Sequence, residues 1–132
     1  IYAGAVLFLL PSRVEPCGQG QMIAQRYGTP PIVHRTGGLA DTVIDEHNHP
    51  GAGTGFVFEH PTPEGLLWAC DQAFAMRGRR GSSPPWRALV ARGMAVDFGW
   101  ETGSAPRYVE AYRRAIDLRR DILAAEAARA PA

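Results

Sequence analysis

The stretch from Pro11 to Val43 constrains the fold of this chain more than any other, and it reads PSRVEPCGQGQMIAQRYGTPPIVHRTGGLADTV. The apolar run at residues 6–10 predicts a short buried strand, which the following Pro-Ser pair ends. A tight passage, EPCG, leads into a predicted helix over residues 20–27, and Gly28 ends that helix as a C-cap. A strand, a polar elbow and a helix therefore follow one another in quick succession.

Polar and glycine residues follow both predicted strands of this stretch. A second strand is predicted over residues 31–34, and Thr36, Gly37 and Gly38 turn away from it. Glu15 stands in the elbow after the first strand. Because open α/β sheets bind ligands at the carboxyl ends of their strands, we expect Glu15 and the two glycines to lie at one binding edge.

The rest of the chain continues the pattern of short strands separated by helices, which indicates an α/β fold with a parallel sheet. The further predicted elements are one or two helical turns at 39–43, an exposed polar loop at 45–54, a strand at 55–58, a basic loop at 77–85, and helices over 62–76, over 86–96 and from 104 past 116. The alanine-rich residues 124–132 are expected to form a disordered tail after a domain that spans residues 1–123.

Two groups of side chains are expected in the core. One is the apolar stripe of the helix over 62–76, formed by Leu66, Leu67, Ala69, Cys70, Ala73 and Phe74. The other consists of the later aromatic residues Trp86, Phe98, Trp100, Tyr108 and Tyr112, for which a core position is favoured over a ligand platform.

Composition and charge narrow the classes of function. The formal net charge of +1 gives no electrostatic reason to expect nucleic acid as a partner. No apolar run approaches the roughly 18 residues of a membrane span, so no membrane partner is expected. Cys17 and Cys70 match no metal or redox spacing, which suits a reducing cytosol and predicts a cytoplasmic protein. Because residues 1–5 enter a strand pattern without an initiator Met, we expect the chain to be the C-terminal portion of a longer protein.

Glu15 admits two interpretations. A carboxylate between a strand and a helix can simply accept helix N–H bonds, because negative charge is favoured at a helix N-terminus. Its neighbours favour a ligand-binding role: Pro16 stiffens the elbow, and Gly18 lets the backbone approach a ligand closely. The following helix also directs its free N–H groups toward the same space.

The residues around the double glycine likewise have a structural and a functional interpretation. Gly37 and Gly38 form either a plain turn or, between Thr36 and a short helix, a set of bare N–H groups offered to a phosphate. His34 and Arg35 come just before this turn and are candidates to line the site, Arg35 as a phosphate contact.

Other chemistry-bearing residues are given plainer roles. Cys17 is expected to pack or to offer its backbone rather than to act as a nucleophile, since no base is placed beside it. His47, His49 and His60 are expected to be exposed loop residues, and no metal site is predicted from their spacing. Asp41 is expected to cap the short helix that follows the double glycine.

Several motifs of this chain closely resemble bacterial glycogen synthases and plant starch synthases: PSRVEPCG followed by Gln21, RYGTPPIV and RTGGLADTV. These are retaining α-glucosyltransferases of the GT-B kind, which have two Rossmann domains. GTGFVFE, GMAVDFGW and the helix around Tyr108 and Tyr112 resemble the C-terminal end of that family, so the resemblance reaches about Leu123. It implies the C-terminal part of a nucleotide-sugar-binding domain with a Rossmann-like parallel sheet.

The resemblance implies transfer of glucose from ADP-glucose, or less often UDP-glucose, to the non-reducing 4-OH of an α-1,4-glucan. The anomeric configuration is retained, and no metal or other cofactor is needed. Glu15 then matches the glutamate that supports positive charge on the glucosyl ring, and Cys17 and Gly18 line the sugar pocket. Thr36, Gly37 and Gly38 match the loop for the sugar and distal phosphate, and helix amides near Gly20 and Gln21 complete the phosphate cradle.

The sequence also departs from that family. Gln19, Gly20, Ile23 and Val6 differ from the usual residues, and at Gly20 a hydroxyl contact to phosphate is expected to be lost. Family members carry an upstream N-terminal domain with a lysine–glycine donor loop, so this chain alone is expected to be inactive. The last helix is expected to pack on that domain. Two alternatives stay open: another retaining GT-B enzyme, such as a sucrose or trehalose-phosphate type synthase, and a non-catalytic sugar-nucleotide-binding remnant.

Overall fold

The computed structural model describes residues 1–79 and 81–129, and the chain divides into two compact units. The first, Ile1–Val96, contains the whole sheet and is called the sheet unit. The second begins at Asp97 and is called the helical unit. Within the described ranges, no helix is long and apolar enough to cross a membrane.

The sheet unit confirms the predicted α/β fold with a parallel sheet. Its elements are β1 (Phe8–Leu10), α1 (Gly20–Arg26), β2 (Pro31–His34), α2 (Gly37–Thr42), β3 (Phe56–Phe58), α3 (Pro63–Arg77) and α4 (Pro84–Ala95), with a 3-10 turn at Tyr2–Gly4. The strands lie in the order β1-β2-β3 and all pairs are parallel. Leu9 pairs with Ile32, which in turn pairs with Phe56, so the strands are nearly in step.

The first strand is shorter and more exposed than the sequence predicts. It begins at Phe8 rather than at residue 6, and Val6 and Leu9 keep 46% and 50% of their surface exposed. The reason is its position, because β1 has one neighbouring strand in the described chain and lies at an edge of the sheet.

Helices cover both faces of the two other strands, so β2 and β3 are buried throughout. On one face, apolar side chains of both strands meet α3 and α4 in a cluster formed by Ile32, Phe56, Phe58, Ala69, Ala73, Trp86 and Leu89. On the other face, α2 and the residue after it complete a cluster of Val33, Leu39, Val43 and Val57. The predicted core position of Trp86 is therefore confirmed.

The apolar stripe predicted on α3 is only partly correct. Ala69 and Ala73, four residues apart, are fully buried, and Leu66 and Cys70 pack against the same cluster. Leu67 and Phe74 are exposed, because a helix that approaches the sheet through small alanines buries a narrow stripe. The helix begins with a side-chain cap, since Thr62 Oγ1 accepts a bond from the Gly65 N–H.

The loop at 45–54 is exposed only in its middle part: residues 47–52 are exposed as predicted, whereas the two ends of the loop are not. Asp45, Glu46 and Thr54 are almost fully buried. Asp45 Oδ1 accepts a 2.9 Å hydrogen bond from the main-chain N–H of Val57, which the edge strand β3 would otherwise leave unpaired. Glu46 forms a 2.6 Å ion pair with Arg92 of α4. The acidic residues are buried because each satisfies donors that the fold supplies.

The helical unit consists of a π turn at Trp100–Ser104 and the long helix α5 (Ala105–Arg129). No residue of α5 is buried. Phe98, Trp100, Tyr108 and Tyr112, which the sequence places in a core, are exposed. The rings of the last three instead form a ladder, with successive centroids 5.4 and 6.3 Å apart.

The helix α5 continues through residues 124–129, where the sequence suggests a disordered tail. Alanine, glutamate and arginine are strong helix formers, and they extend the helix by a further turn and a half. Residues 130–132 of that predicted tail lie outside the described residues. The domain boundary at residue 123 stays a prediction.

Candidate functional site

The candidate site lies where β1 and β2 end. The elbow between β1 and α1 carries Glu15, Cys17 and Gly18, and the turn between β2 and α2 carries Thr36 and the two glycines. Because β1 and β2 are parallel neighbours, their carboxyl ends share one edge of the sheet. The structure thus brings together the two segments that the sequence singles out.

The two segments touch through their backbones, and this contact requires glycine. A Cβ atom on Gly37 would lie 2.0 Å from the carbonyl oxygen of Glu15, and one on Gly38 would lie 1.8 Å from that of Cys17. Gly37 also has a φ of 43°, a conformation that other residues rarely adopt. The double glycine is therefore the surface on which the elbow rests.

This contact changes the role predicted for one amide. The N–H of Gly38 donates to the carbonyl oxygens of Glu15, at 3.1 Å, and Pro16, at 3.3 Å. The glycines form the first residues of α2 rather than a turn before it. The N–H of Gly38 is therefore not bare, as the sequence suggests, but holds the elbow in place.

Gln21 fixes the elbow from behind. Its side chain is fully buried, and its Nε2 donates to the carbonyl of Gly18 at 3.1 Å and to Oγ1 of Thr42 at 3.0 Å. The single hydroxyl proton of Thr42 goes to the carbonyl of Gly38, so this hydroxyl accepts from Gln21. The Gln21 side chain therefore links elbow, α1 and α2, a role that the sequence does not reveal.

The presence of glycine at position 20 is explained by packing against β1. A Cβ atom there would lie 2.9 Å from Cζ of the Phe8 ring. The aromatic residue of β1 thus occupies the space of a side chain at position 20, and this explains the glycine where the family resemblance leads one to expect a hydroxyl.

Ser12 connects two of the predicted site residues. Its hydroxyl donates to Oε2 of Glu15 at 3.1 Å, and its carbonyl accepts a 2.9 Å bond from Nδ1 of His34. A carbonyl only accepts, so Nδ1 carries the proton, and in neutral His34 Nε2 is the acceptor. His34 is nearly buried, with its ring 5.5 Å from that of Phe58. Ser12 is not among the site residues predicted from the sequence, although its place two residues after the end of β1 is a signal that could have found it.

Arg35 has a partner that the sequence does not predict. Its Nε lies 2.5 Å from Oε1 of Glu59, which follows β3, and both side chains are about half exposed. Its main-chain N–H donates to the carbonyl of Phe58 and extends the ladder between the strands. An incoming phosphate would compete with Glu59 for this guanidinium.

The two cysteines lie in different surroundings. The side chain of Cys17 is exposed, and its carbonyl contacts the double glycine. Burial raises the pKa of the Cys70 thiol on α3, and the carboxylate of Asp71 raises it further.

His47, His49 and His60 are exposed loop residues, as predicted. In residues 1–79 and 81–129, no three His, Cys, Asp or Glu side chains are grouped for a metal ion.

Comparison with known proteins decides the family. Residues 1–82 match the family described as glycosyl transferases group 1. The chain belongs to this family. The matched segment contains the elbow, the double glycine and the strands β1, β2 and β3.

Individual relatives point to a narrower group within this family. The chain is 50% identical over 120 residues to a glycogen synthase of Moorella thermoacetica and 51% identical over 120 residues to glycogen synthase 2 of Geobacter sulfurreducens. Each alignment covers 91% of this chain and 24% of the relative. The chain therefore spans about a quarter of the length of these relatives.

Solved structures give the same result for the fold. The catalytic domain of Starch Synthase IV from Arabidopsis thaliana, bound to ADP and acarbose, matches with a TM-score of 0.76 and 39% identity, over 89% of this chain and 24% of that chain. Sucrose-phosphate synthase from Thermosynechococcus elongatus matches with a TM-score of 0.58 and 27% identity, over 89% of this chain and 27% of that chain. The resemblance to glycogen and starch synthases and the GT-B fold are confirmed, and the sucrose-type alternative has the weaker match.

Proposed function

We propose that this chain forms part of the donor site of an enzyme that transfers glucose from ADP-glucose to the non-reducing 4-OH of an α-1,4-glucan, with retention of the anomeric configuration. One observation carries the proposal. In a chain half identical to glycogen synthases, the Glu15 elbow rests on Gly37 and Gly38, and Ser12 holds the Glu15 carboxylate. UDP-glucose is the alternative donor.

The proposed role of Glu15 is electrostatic. As the bond from glucose to the nucleotide lengthens, positive charge develops on the sugar ring, and a fixed carboxylate stabilises it. Ser12 orients one oxygen of this carboxylate, so little reorganisation is needed when the charge appears. Cys17 and Gly18, next to Glu15 in the elbow, are proposed to line the sugar pocket.

The departing nucleotide needs compensation of its negative charge. Thr36 and Gly37 at the start of α2, and the main-chain amides of Gly20 and Gln21 at the start of α1, are proposed to contact the sugar and its phosphates. Gly38 contributes by holding the elbow. We propose that no metal or other cofactor takes part.

His34 and Arg35 complete the set of proposed contacts. His34 presents Nε2 as an acceptor when neutral, because its Nδ1 proton is used by Ser12. Arg35 is proposed to turn from Glu59 to a phosphate when donor binds, since its ion pair is exposed and therefore weak.

Activity is proposed to need an N-terminal GT-B domain as well, with this chain inactive by itself. The exposed apolar face of α5, which includes Tyr112 and Ile116, is the surface that we propose for contact with that domain. The cytoplasmic location predicted from the cysteines remains a prediction.

A chimera tests the proposal. The upstream part of the Moorella thermoacetica glycogen synthase is joined to this chain, and glucosyl transfer to glycogen is measured with ADP-glucose and, in parallel, UDP-glucose. The substitution Glu15→Ala is expected to lower the transfer rate about 100-fold or more, because it removes a preorganised group that stabilises charge in the transition state. Glu64→Ala, at an exposed carboxylate on α3, is the matched control and is expected to keep full activity.

The outcomes separate the candidate functions. Transfer that survives Glu15→Ala would contradict the proposed role of this residue. A folded chimera that binds ADP-glucose but transfers nothing would favour the alternative of a non-catalytic sugar-nucleotide-binding module.

A further inference from the structure

A concave site lies at β3, whose residues Val57 and Phe58 line it. It is a cavity of about 320 Å³ between the start of α3 and the loop at 45–54. This volume is at the lower end of the range for small-molecule sites, roughly 300–1,000 Å³. None of the residues assigned to the donor site lines it.

An aromatic surface forms one wall. Trp68 of α3 keeps 40% of its surface exposed at the cavity, although tryptophan is usually well buried. The His47 ring stands edge-on to the indole, with centroids 5.0 Å apart and planes at 82°. This contact holds the indole in a defined orientation and leaves part of it open.

Polar side chains form the rim. Glu59 and His60 follow β3, and Asn48 comes from the loop. The loop is held firmly, because Oδ2 of Asp45 accepts bonds from the Asn48 side chain at 2.7 Å and from its main-chain N–H at 3.2 Å. The buried Asp45 also accepts the Val57 N–H, so the rim is tied directly to the sheet.

We infer that this cavity binds a glucose unit of an α-glucan, separately from the donor site. A pyranose ring has an apolar face of C–H groups that packs on an aromatic side chain and a rim of hydroxyls that bonds to carboxylate, amide and imidazole groups. The cavity offers both surfaces at the size of one sugar ring. The carboxylate of Glu59 at its rim, whose charge is compensated by Arg35, offers oxygens that accept hydrogen bonds from sugar hydroxyls.

The cavity is connected to the proposed donor site by two contacts. Phe58 lines the cavity, and its ring also contacts the ring of His34. Glu59 lines it too and pairs with Arg35. A glucan held at Trp68 therefore lies at the same edge of the sheet as the donor-binding residues, and tethering the polymer there raises its effective concentration near the reaction. This role rests on the proposed function, whereas the binding itself does not.

Binding of maltoheptaose to the 132-residue chain, measured by calorimetry, tests the inference. Trp68→Ala is expected to weaken binding about tenfold or more, since it removes the aromatic surface on which the sugar ring packs. The control is Phe74→Ala, which removes another exposed aromatic side chain from α3 outside the cavity and is expected to leave the affinity unchanged.

Further variants keep the test decisive. If circular dichroism shows that Trp68→Ala does not fold, His47→Ala and Glu59→Gln take its place and are each expected to weaken binding. The inference is overturned if the unmodified chain does not bind maltoheptaose, if binding survives removal of Trp68, or if ADP rather than maltoheptaose shifts the NMR signal of the Trp68 indole N–H. Because the readout is glucan binding, failure here leaves the chimera test of donor chemistry unaffected.

Discussion

The two units of the chain differ in where their apolar side chains lie. In the sheet unit, Ile32 and Leu89 are completely buried, whereas in the helical unit Tyr112 and Leu118 keep 63% and 62% of their surface exposed. Burying a large apolar side chain stabilises a protein by about 1.5–3 kcal/mol. The sheet unit is therefore stabilised by contacts between elements distant in sequence, while α5 depends on local helix formation.

This difference predicts how far from the substituted residue a substitution will disturb the structure. In the sheet unit the elbow packs on α2 through backbone atoms, and the loop at 45–54 is tied to β3 and α4 by buried carboxylates, so a small change at one of these contacts disturbs the elements that it joins. In the helical unit a change is expected to stay local until another protein surface covers the exposed face.

The largest effect is expected from Gly38→Ala. The added methyl group would lie 1.8 Å from the carbonyl oxygen of Cys17, and the elbow must move away to admit it. We expect the free energy of unfolding, measured by urea denaturation, to fall by about 3 kcal/mol.

Gly103→Ala in the helical unit is the matched control. A Cβ atom there would lie an ordinary 3.9 Å from the carbonyl oxygen of Asp97, so the change is expected to stay within about 0.5 kcal/mol. Equal effects of the two substitutions would contradict the contrast between the units.

The next largest loss of stability is expected at a buried ion pair of the sheet unit. Glu46 and Arg92 in the sheet unit lie 2.6 Å apart, and Glu46 also accepts the N–H of Gly51. Glu46→Gln removes the charge but keeps the shape, and it leaves the Arg92 guanidinium with a weaker partner. We expect urea denaturation to show a loss of about 2 kcal/mol.

The comparison pair is Asp117 and Arg120 on α5, which are 3.7 Å apart and largely exposed. Asp117→Asn is expected to cause no measurable change in the unfolding curve, because water screens exposed pairs. A loss at Asp117 as large as that at Glu46 would show that burial does not determine the strength of these pairs.

Local signals explain what could be predicted from the sequence. The end of α1 just before Gly28 and the order of strands and helices depend on neighbouring residues, and the structure confirms them. The meeting of Glu15 with the double glycine follows from the parallel order of the strands alone. The fold class and the meeting of these two segments could therefore be predicted from the sequence, while the function of the site remains a prediction.

The rest depends on contacts between distant residues. The sequence predicts that Asp45 is an exposed loop residue. In the structure it is buried, because the main-chain N–H of Val57 in β3 needs an acceptor and the Asp45 carboxylate provides it. The sequence predicts that Phe74 lies in the core. In the structure it is exposed, because α3 packs on the sheet through Ala69 and Ala73 instead. Glu59 reaches the site only because Arg35 of the neighbouring strand end lies opposite it, so no local pattern identifies its role.

A smaller effect is expected for the exposed face of α5. Ile116 keeps 52% of its surface exposed, so Ile116→Ser removes little buried area. We expect the free energy of unfolding of the chain to change by less than about 0.5 kcal/mol. In the chimera, by contrast, the same substitution is expected to lower the melting temperature, since the upstream part is proposed to cover this face. An unchanged melting temperature would argue against that contact.

The smallest effect is a dependence on pH that arises in the sheet unit. Folding raises the pKa of the Cys70 thiol above its ordinary value of 9.0, chiefly through burial. The unfolded chain therefore loses this proton at a lower pH than the folded one. The free energy of unfolding should be unaffected by this group below pH 9.0 and should decrease as the pH rises from there through the folded pKa. Urea denaturation at several alkaline pH values measures this slope, and Cys70→Ala should make it shallower because the titrating group is gone. Identical slopes in the two proteins would mean that the thiol ionises as easily on α3 as in the unfolded chain, and that the packing around α3 does not extend to this residue.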